Sequence, residues 1–227
     1  MRWWAVAGVA LALGGCGGAG EPAPRAARTA EPTPQPGVHV RFRAADGKPV
    51  RGVLRAAAPG APAVVLVNGL VGGVGQWDVL TPDLGGAGFA SLVFDGRGGV
   101  DETALVKEVA GAIAFLRARG YERLAIVGSS VGASTTVLAM TRPPGRSVSA
   151  AVALSPPAAP AFSQQPYHPH DVLFMSDSRE RATVKPLLHG AVASRLVVSE
   201  LNGHGVALLE SAPQRQAVLD WLEQHLQ

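Results

Sequence analysis

The stretch Leu124-Ala125-Ile126-Val127-Gly128-Ser129-Ser130-Val131-Gly132 decides the architecture of this chain. Residues 124–127 form a continuous apolar run, the pattern of a strand covered on both faces. Residues 130–140 read as a helix that begins at a polar residue and ends before Pro143-Pro144. Between them lies Gly-x-Ser-x-Gly. A strand that enters a helix through this pentapeptide turns sharply, and the flanking glycines remove the Cβ clashes that would forbid the turn. The Ser130 hydroxyl then stands clear at a helix N-terminus, where backbone N–H groups face outward. The plainer alternative is a glycine-lined helix start with Ser130 as its N-cap.

Working outward, similar apolar runs occur at 63–67, 89–94, 150–154, 172–175 and 196–199. Helical patterns lie between them, over 77–87, 101–119, 180–192 and 213–226. The segment 101–119 is the best patterned, with Leu105, Val109, Ala112, Ile113 and Leu116 on one stripe and Gly120 as a stop. Pro186 interrupts the segment 180–192. Upstream, 38–43 and 50–57 flank Asp46-Gly47 and predict an antiparallel β-hairpin. Strand and helix alternating at this spacing imply βαβ units and a mainly parallel sheet covered by helices on both faces. Ligands of such sheets sit beyond the carboxyl ends of the strands.

Composition agrees with one domain plus an extension. The chain has 227 residues, 47% of them hydrophobic, and a net charge of +3. That length and apolar content support a single sizeable core and exclude a mainly disordered chain. The arginines are scattered rather than gathered into a basic face, so nucleic acid is not an expected partner. A single cysteine, Cys16, excludes an internal disulfide framework and a multi-cysteine metal site.

The extension is N-terminal. Met1-Arg2 precedes an uncharged apolar run over residues 3–13, which is too short for a membrane-spanning helix of about 20 residues. It has the length of a signal-peptide core and ends in Leu13-Gly14-Gly15-Cys16. This pattern resembles a bacterial lipoprotein signal. The resemblance implies removal of residues 1–15, a diacylglycerol on Cys16, and a protein exported and held on a bacterial membrane, at the outer membrane or cell surface. The competing reading is an ordinary secretory signal. Residues 16–37, rich in Pro, Ala and Gly, form a tether without core residues. The folded domain then spans 38–227.

Serine needs a base to become a nucleophile. Of the six histidines, His39 and His225 lie at the extremes of the domain, His168 and His170 fall in a Pro-rich loop, and His189 lies in a helical segment. His204 follows the last strand, between Gly203 and Gly205 and just before the final helix, where its imidazole can reach the sheet edge. A carboxylate to orient that imidazole is expected just past the strand 172–175, at Asp177 or Glu180. The order is serine, acid, histidine.

Four segments in that order resemble the α/β-hydrolase family, in particular its small esterases and dienelactone-hydrolase-like members. VVLVNGLVGG (64–73) resembles the strand and oxyanion loop, with Asn68-Gly69 where His-Gly is usual. FASLVFDGRGG (89–99) resembles the strand ending in Asp-x-x-Gly, LAIVGSSVG (124–132) the nucleophile elbow, and LNGHGVALL (201–209) the histidine loop. The resemblance implies an α/β-hydrolase fold with Ser130 as nucleophile, His204 as general base and acid, and the N–H groups of Leu70 and Val131 as oxyanion hole. It favours Glu180 over Asp177 as the acid, although the usual glycine before the acid is missing from Ser176-Asp177-Ser178-Arg179-Glu180. Arg179 and Arg181 are expected to keep Glu180 ionised. Asp95 is expected to hold its loop, and Asn68 to shift the oxyanion loop. Only about 16 residues separate 154 from 171, too few for a helical lid domain.

The implied activity is metal- and cofactor-independent hydrolysis of a small-molecule carboxylic ester by a monomer tethered to the membrane through its N-terminal lipid. A peptide or thioester substrate would use the same groups. The contrasting function is a catalytically inactive lipoprotein that keeps the fold and binds a ligand or partner.

Overall fold

The computed structural model describes residues 36–71, 73–97, 101–141, 148–157 and 166–227. The signal segment 1–15, Cys16 and the tether up to residue 35 lie outside the described residues. So do residues 158–165 of the connection that follows residue 154.

Eight strands form one sheet: β1 (Val38–Arg43), β2 (Pro49–Arg55), β3 (Ala63–Val67), β4 (Ala90–Asp95), β5 (Leu124–Ser129), β6 (Ala150–Leu154), β7 (Val172–Asp177) and β8 (Arg195–Ser199). Their order is β1-β2-β4-β3-β5-β6-β7-β8. β1 pairs antiparallel with β2, and β2 with β4; every other pairing is parallel. The hairpin turn has Gly47 at φ 79° and an Asp46 carboxylate accepting the Lys48 N–H at 3.2 Å. This left-handed position is one that glycine adopts without a Cβ penalty.

The central strands are apolar on both faces because both faces are covered. Ala63–Val67, Ala150–Leu154 and Val172–Asp177 are buried throughout. On one face Val65, Leu92, Ile126, Ala153 and Phe174 pack with α2 (Glu102–Arg117), α3 (Val131–Thr141) and the short α4 (Arg181–Val184). On the other Leu66, Val93, Val127, Leu154 and Met175 pack with α1 (Thr81–Gly86) and α5 (Ala212–Leu226). α2 starts as its sequence predicts, with the Asp101 side chain capping the Ala104 N–H at 3.1 Å. α3 is buried nearly all round, consistent with its lack of a polar stripe.

Two predicted helices are shorter than expected. The segment 77–87 divides into a 3₁₀ turn, Val74–Val79, and α1, with Pro82 in the first turn of α1 and Gly85-Gly86 at its end. The segment 180–192 divides likewise into α4 and a 3₁₀ turn, Lys185–Leu188, that carries Pro186. Proline lacks the N–H that would continue the ladder.

Register fixes the geometry of one rim. Val67 lies beside Gly128, Ser129 beside Leu154, Leu154 beside Met175, and Asp177 beside Ser199. The segments leaving β3, β5, β7 and β8 therefore start from a common edge, and they carry Asn68, Ser130, Glu180 and His204.

Candidate active site

Ser130 occupies the turn between β5 and α3 at φ 53°, in the left-handed region that a residue with a Cβ seldom enters. Its N–H donates to the Leu154 carbonyl at 2.9 Å, and its own carbonyl accepts from Ala133 at 2.8 Å and Ser134 at 3.1 Å. Close packing also explains the glycines on either side. A Cβ on Gly128 would lie 2.2 Å from the Gly132 carbonyl oxygen, and one on Gly132 would lie 2.4 Å from the Val67 oxygen. The elbow is thus pressed against β3, and any other residue at these two positions would force the strand and helix apart.

His204 precedes a 3₁₀ turn, Gly205–Glu210, that packs against the sheet. Its Nε2 lies 2.9 Å from Ser130 Oγ, and its Nδ1 lies 2.5 Å from Glu180 Oε1. With the ring proton on Nδ1, the imidazole donates to the carboxylate and accepts from the serine hydroxyl, the tautomer that a base requires. The pair is partly open to water: the His204 side chain is 55% exposed and that of Glu180 28%. The other histidines sit elsewhere. His170 pairs with Asp171 at 2.9 Å just before β7, and His225 Nδ1 lies 2.7 Å from the Trp221 carbonyl oxygen.

Of the two acids indicated by the sequence, Glu180 reaches the imidazole and Asp177 makes no hydrogen bond to it. Asp177 is the last residue of β7 and fully buried. Its Oδ1 accepts the N–H groups of Arg179 and Glu180, both at 2.9 Å, while Oδ2 accepts the Arg179 guanidinium and the Gly203 N–H at 3.2 Å. Burial pushes its carboxyl upward, but the Arg179 side chain and the N–H groups of Glu180 and Gly203 outweigh that and hold it below the ordinary carboxylate range. The expectation that Arg179 would serve Glu180 is corrected: its guanidinium turns to Asp177, the buried charge of the two.

The loop that leaves β3 is anchored at its start by Asn68. Asn68 Nδ2 donates to the Phe94 carbonyl at 3.0 Å, and its Oδ1 accepts the indole N–H of buried Trp77 at 2.7 Å. Asn68 therefore ties the end of β3 to β4 and to the 3₁₀ turn. A Cβ on Gly69 would approach Ser130 Cβ to 3.3 Å, so the loop runs directly past the serine. Leu70 and Val131 line one cleft of about 130 Å³, together with Asn68, Gly69, Phe94, Asp95 and Leu105. The N–H of Val131, the first residue of α3, has no partner within its helix. Asp95 is exposed at the end of β4 and borders the cleft, and among the described residues its side chain has no hydrogen-bond partner. Arg97, two residues on, bonds both Asp46, at 2.7 Å, and the fully buried Glu108.

Two contacts escaped the sequence. Ser129 Oγ accepts the Val206 N–H at 3.2 Å, and Asp177 accepts the Gly203 N–H. Neither position carries a motif that would single it out for this. Among the described residues no group of three His, Cys, Asp or Glu side chains is placed to hold a metal ion, and no helix is long and apolar enough to cross a membrane.

In structure the chain is similar to dienelactone hydrolase from Anabaena variabilis, with 17% identity, a TM-score of 0.69, and coverage of 84% of this chain and 99% of that one. It is similar to the esterase Pf2001 from Pyrococcus furiosus at 15% identity and TM-score 0.67, covering 85% and 94%. A hyperthermophilic esterase from the archaeon Pyrobaculum calidifontis matches at 15% identity and TM-score 0.65, covering 83% and 84%. No protein-family model and no curated protein matches the sequence. At such identities the likeness speaks to architecture, and the architecture is the α/β-hydrolase fold.

Proposed function

We propose that this chain is a serine hydrolase acting on carboxylic esters through an acyl-enzyme at Ser130. The observation that carries the proposal is the continuous hydrogen-bonded chain Ser130–His204–Glu180, set at the carboxyl rim of the sheet beside the cleft lined by Leu70 and Val131. Esterases and a dienelactone hydrolase among the structural neighbours lend it support.

In this mechanism Ser130 Oγ attacks the ester carbonyl carbon as His204 Nε2 takes its proton. The carbonyl π pair moves to oxygen, and the N–H groups of Val131 and Leu70 receive that oxyanion. Collapse of the tetrahedral intermediate expels the alcohol, which takes the proton back from His204. A water molecule then adds to the acyl-serine, giving its proton to His204, and collapse breaks the acyl–Oγ bond, releasing the carboxylic acid as His204 returns that proton to Ser130 Oγ. Glu180 aligns the imidazole and offsets its charge in both halves. All the groups used belong to this chain.

The domain acts as a monomer exported and held by lipid on Cys16. Each buried CH₂ adds about 0.8 kcal/mol, so several acyl chains anchor it firmly. Purified protein should label with a fluorophosphonate probe and release p-nitrophenol from p-nitrophenyl acetate, and Ser130→Ala should abolish both while the circular dichroism spectrum stays unchanged. Full activity in that variant would end the assignment. Cys16→Ser should move the protein out of the membrane fraction of cells that express it; retention there would exclude the lipid anchor.

A further inference from the structure

The histidine loop is held on both sides by residues that belong to the other two arms of the site. On its N-terminal side, the Gly203 N–H donates to Asp177 Oδ2 at 3.2 Å. On its C-terminal side, the Val206 N–H donates to Ser129 Oγ at 3.2 Å. Asp177 also accepts the Glu180 N–H at 2.9 Å, and Ser129 immediately precedes Ser130. One hydrogen bond therefore joins the loop to the turn that carries the acid, and the other joins it to the elbow that carries the nucleophile.

Both acceptors are built in. Asp177 and Ser129 are 0% and 4% exposed, at the carboxyl ends of β7 and β5. Gly205 lets the loop lie against Ser129: its φ is 60°, and a Cβ there would stand 2.3 Å from Ser129 Oγ. His204, between the two anchors, has a side chain that is 55% exposed. With more than half of the side chain open to water, its place depends strongly on the backbone on either side.

We propose that Asp177 and Ser129 are positioning residues, which set the distance from His204 to Ser130 and Glu180 by gripping the backbone around the histidine. The proposal rests on the hydrolase assignment above. It gives a catalytic consequence to the second acid indicated by the sequence, without contact to the reacting atoms. A displacement of about 1 Å at a reacting group can cost about 10²-fold in rate. A loop freed on one side should therefore lower kcat and leave KM nearly unchanged, because the cleft beside Leu70 and Val131 is untouched.

The test compares wild type, Asp177→Asn, Ser129→Ala and the double variant with p-nitrophenyl acetate, each rate divided by the concentration of sites titrated with the fluorophosphonate. Asp177→Asn should lower kcat per site by about 10- to 100-fold and Ser129→Ala by about 3- to 10-fold, with KM within about twofold in both. The double variant should lose less than the product of the two, since both release the same loop. Amide hydrogen exchange over residues 201–208 should speed up in each variant.

Division by titrated sites removes the effect of any fraction that fails to fold. If Asp177→Asn fails to fold altogether, Ser129→Ala and Gly205→Ala carry the test, since the added methyl must push the loop off Ser129 and lower kcat likewise. Folded variants with kcat per site within about twofold of wild type, or with the loss confined to KM, would overturn the proposal. A wild-type protein that neither labels nor turns over would overturn the hydrolase assignment itself, a result distinct from active variants that match wild type.

Discussion

Replacing Glu180 by Gln tests how much the acid contributes in a site that is open to water. The change keeps size and one hydrogen-bond acceptor but removes the charge facing His204 across 2.5 Å. Under the proposed mechanism, once the imidazole has taken the serine proton the site holds an ion pair whose charges are roughly 4 Å apart. Such a pair attracts by about 1 kcal/mol in water and about 4 kcal/mol at an effective dielectric near 20. At about 1.4 kcal/mol per factor of ten, these limits correspond to about fivefold and about 10³-fold in rate. His204 is 55% exposed and Glu180 28%, which discounts the pair for screening and moves the expectation away from the upper limit. Glu180→Gln should therefore lower kcat for p-nitrophenyl acetate by about 10- to 100-fold, well short of the loss near 10⁴-fold found where a triad acid is sealed from solvent. The gap between wild type and variant should narrow as salt is raised from low ionic strength to about 1 M, where the Debye length falls to about 3 Å. The assay is initial-rate kinetics per titrated site, with the fluorophosphonate labelling rate measured in parallel. A variant within about twofold of wild type at low salt would refute the role of the acid, and a salt-independent loss near 10⁴-fold would refute the argument from exposure.

Other perturbations probe the groups that shape the rim. Asn68→Ala strands the buried indole N–H of Trp77, and urea unfolding followed by tryptophan fluorescence should show a loss of about 1–3 kcal/mol. An unchanged midpoint would mean that the indole finds another acceptor. Asp177 links stability to pH with a definite sign. Its unfolded carboxyl titrates near 3.8 and its folded carboxyl below that, so its contribution is complete above the unfolded value and is lost as pH falls through the folded one. Thermal melts of wild type should therefore drop more steeply than those of Asp177→Asn as pH falls below about 4, and parallel curves would contradict the linkage. Gly132→Ala places a methyl 2.4 Å from the Val67 oxygen and 2.5 Å from that of Asn68. Relief requires α3 to move off β3, at a cost of about 1–3 kcal/mol and with displacement of the Val131 N–H. Melting temperature and kcat should fall together, and loss of neither would show that the elbow has room to spare.

Local pattern made most of the fold legible. The runs of the central strands were visible because residues buried on both faces must be apolar, and β3 and β6 match their predicted bounds at 63–67 and 150–154. Helix lengths were harder where proline falls inside a helical pattern, as at Pro82 and Pro186, since the pattern alone does not say whether a helix starts or breaks there. Ser130 and His204 were readable because both sit at strand ends flanked by glycine. The choice of Glu180 over Asp177 was only a preference, since only two residues of turn separate them and sequence gives no side-chain direction. What remained invisible were bonds between distant segments. Glu108 lies on the apolar stripe of α2 between Leu105 and Ala112, which marks a buried carboxylate, but nothing in the sequence names Arg97 as its partner. The Ser129 contact with Val206 spans 77 positions and involves a backbone N–H, which leaves no trace in residue identity.

Convergence of the site and openness of the site have different origins. Convergence comes from the sheet: parallel register sets β5 beside β6, β6 beside β7 and β7 beside β8, so the segments that carry Ser130, Glu180 and His204 leave from one edge whatever the loops do. Openness comes from the loops, which leave more than half of the His204 side chain exposed. Under the proposed mechanism that exposure favours hydrolysis over transfer to another alcohol, because water at high concentration reaches the acyl-serine. Openness also weakens each charge interaction in the relay, so alignment has to come from elsewhere. The strained serine at φ 53° is one source, held by the buried faces of β5 and α3, and the two backbone anchors around His204 are the other. In a site so exposed, the geometry of the main chain supplies what burial supplies in a closed one.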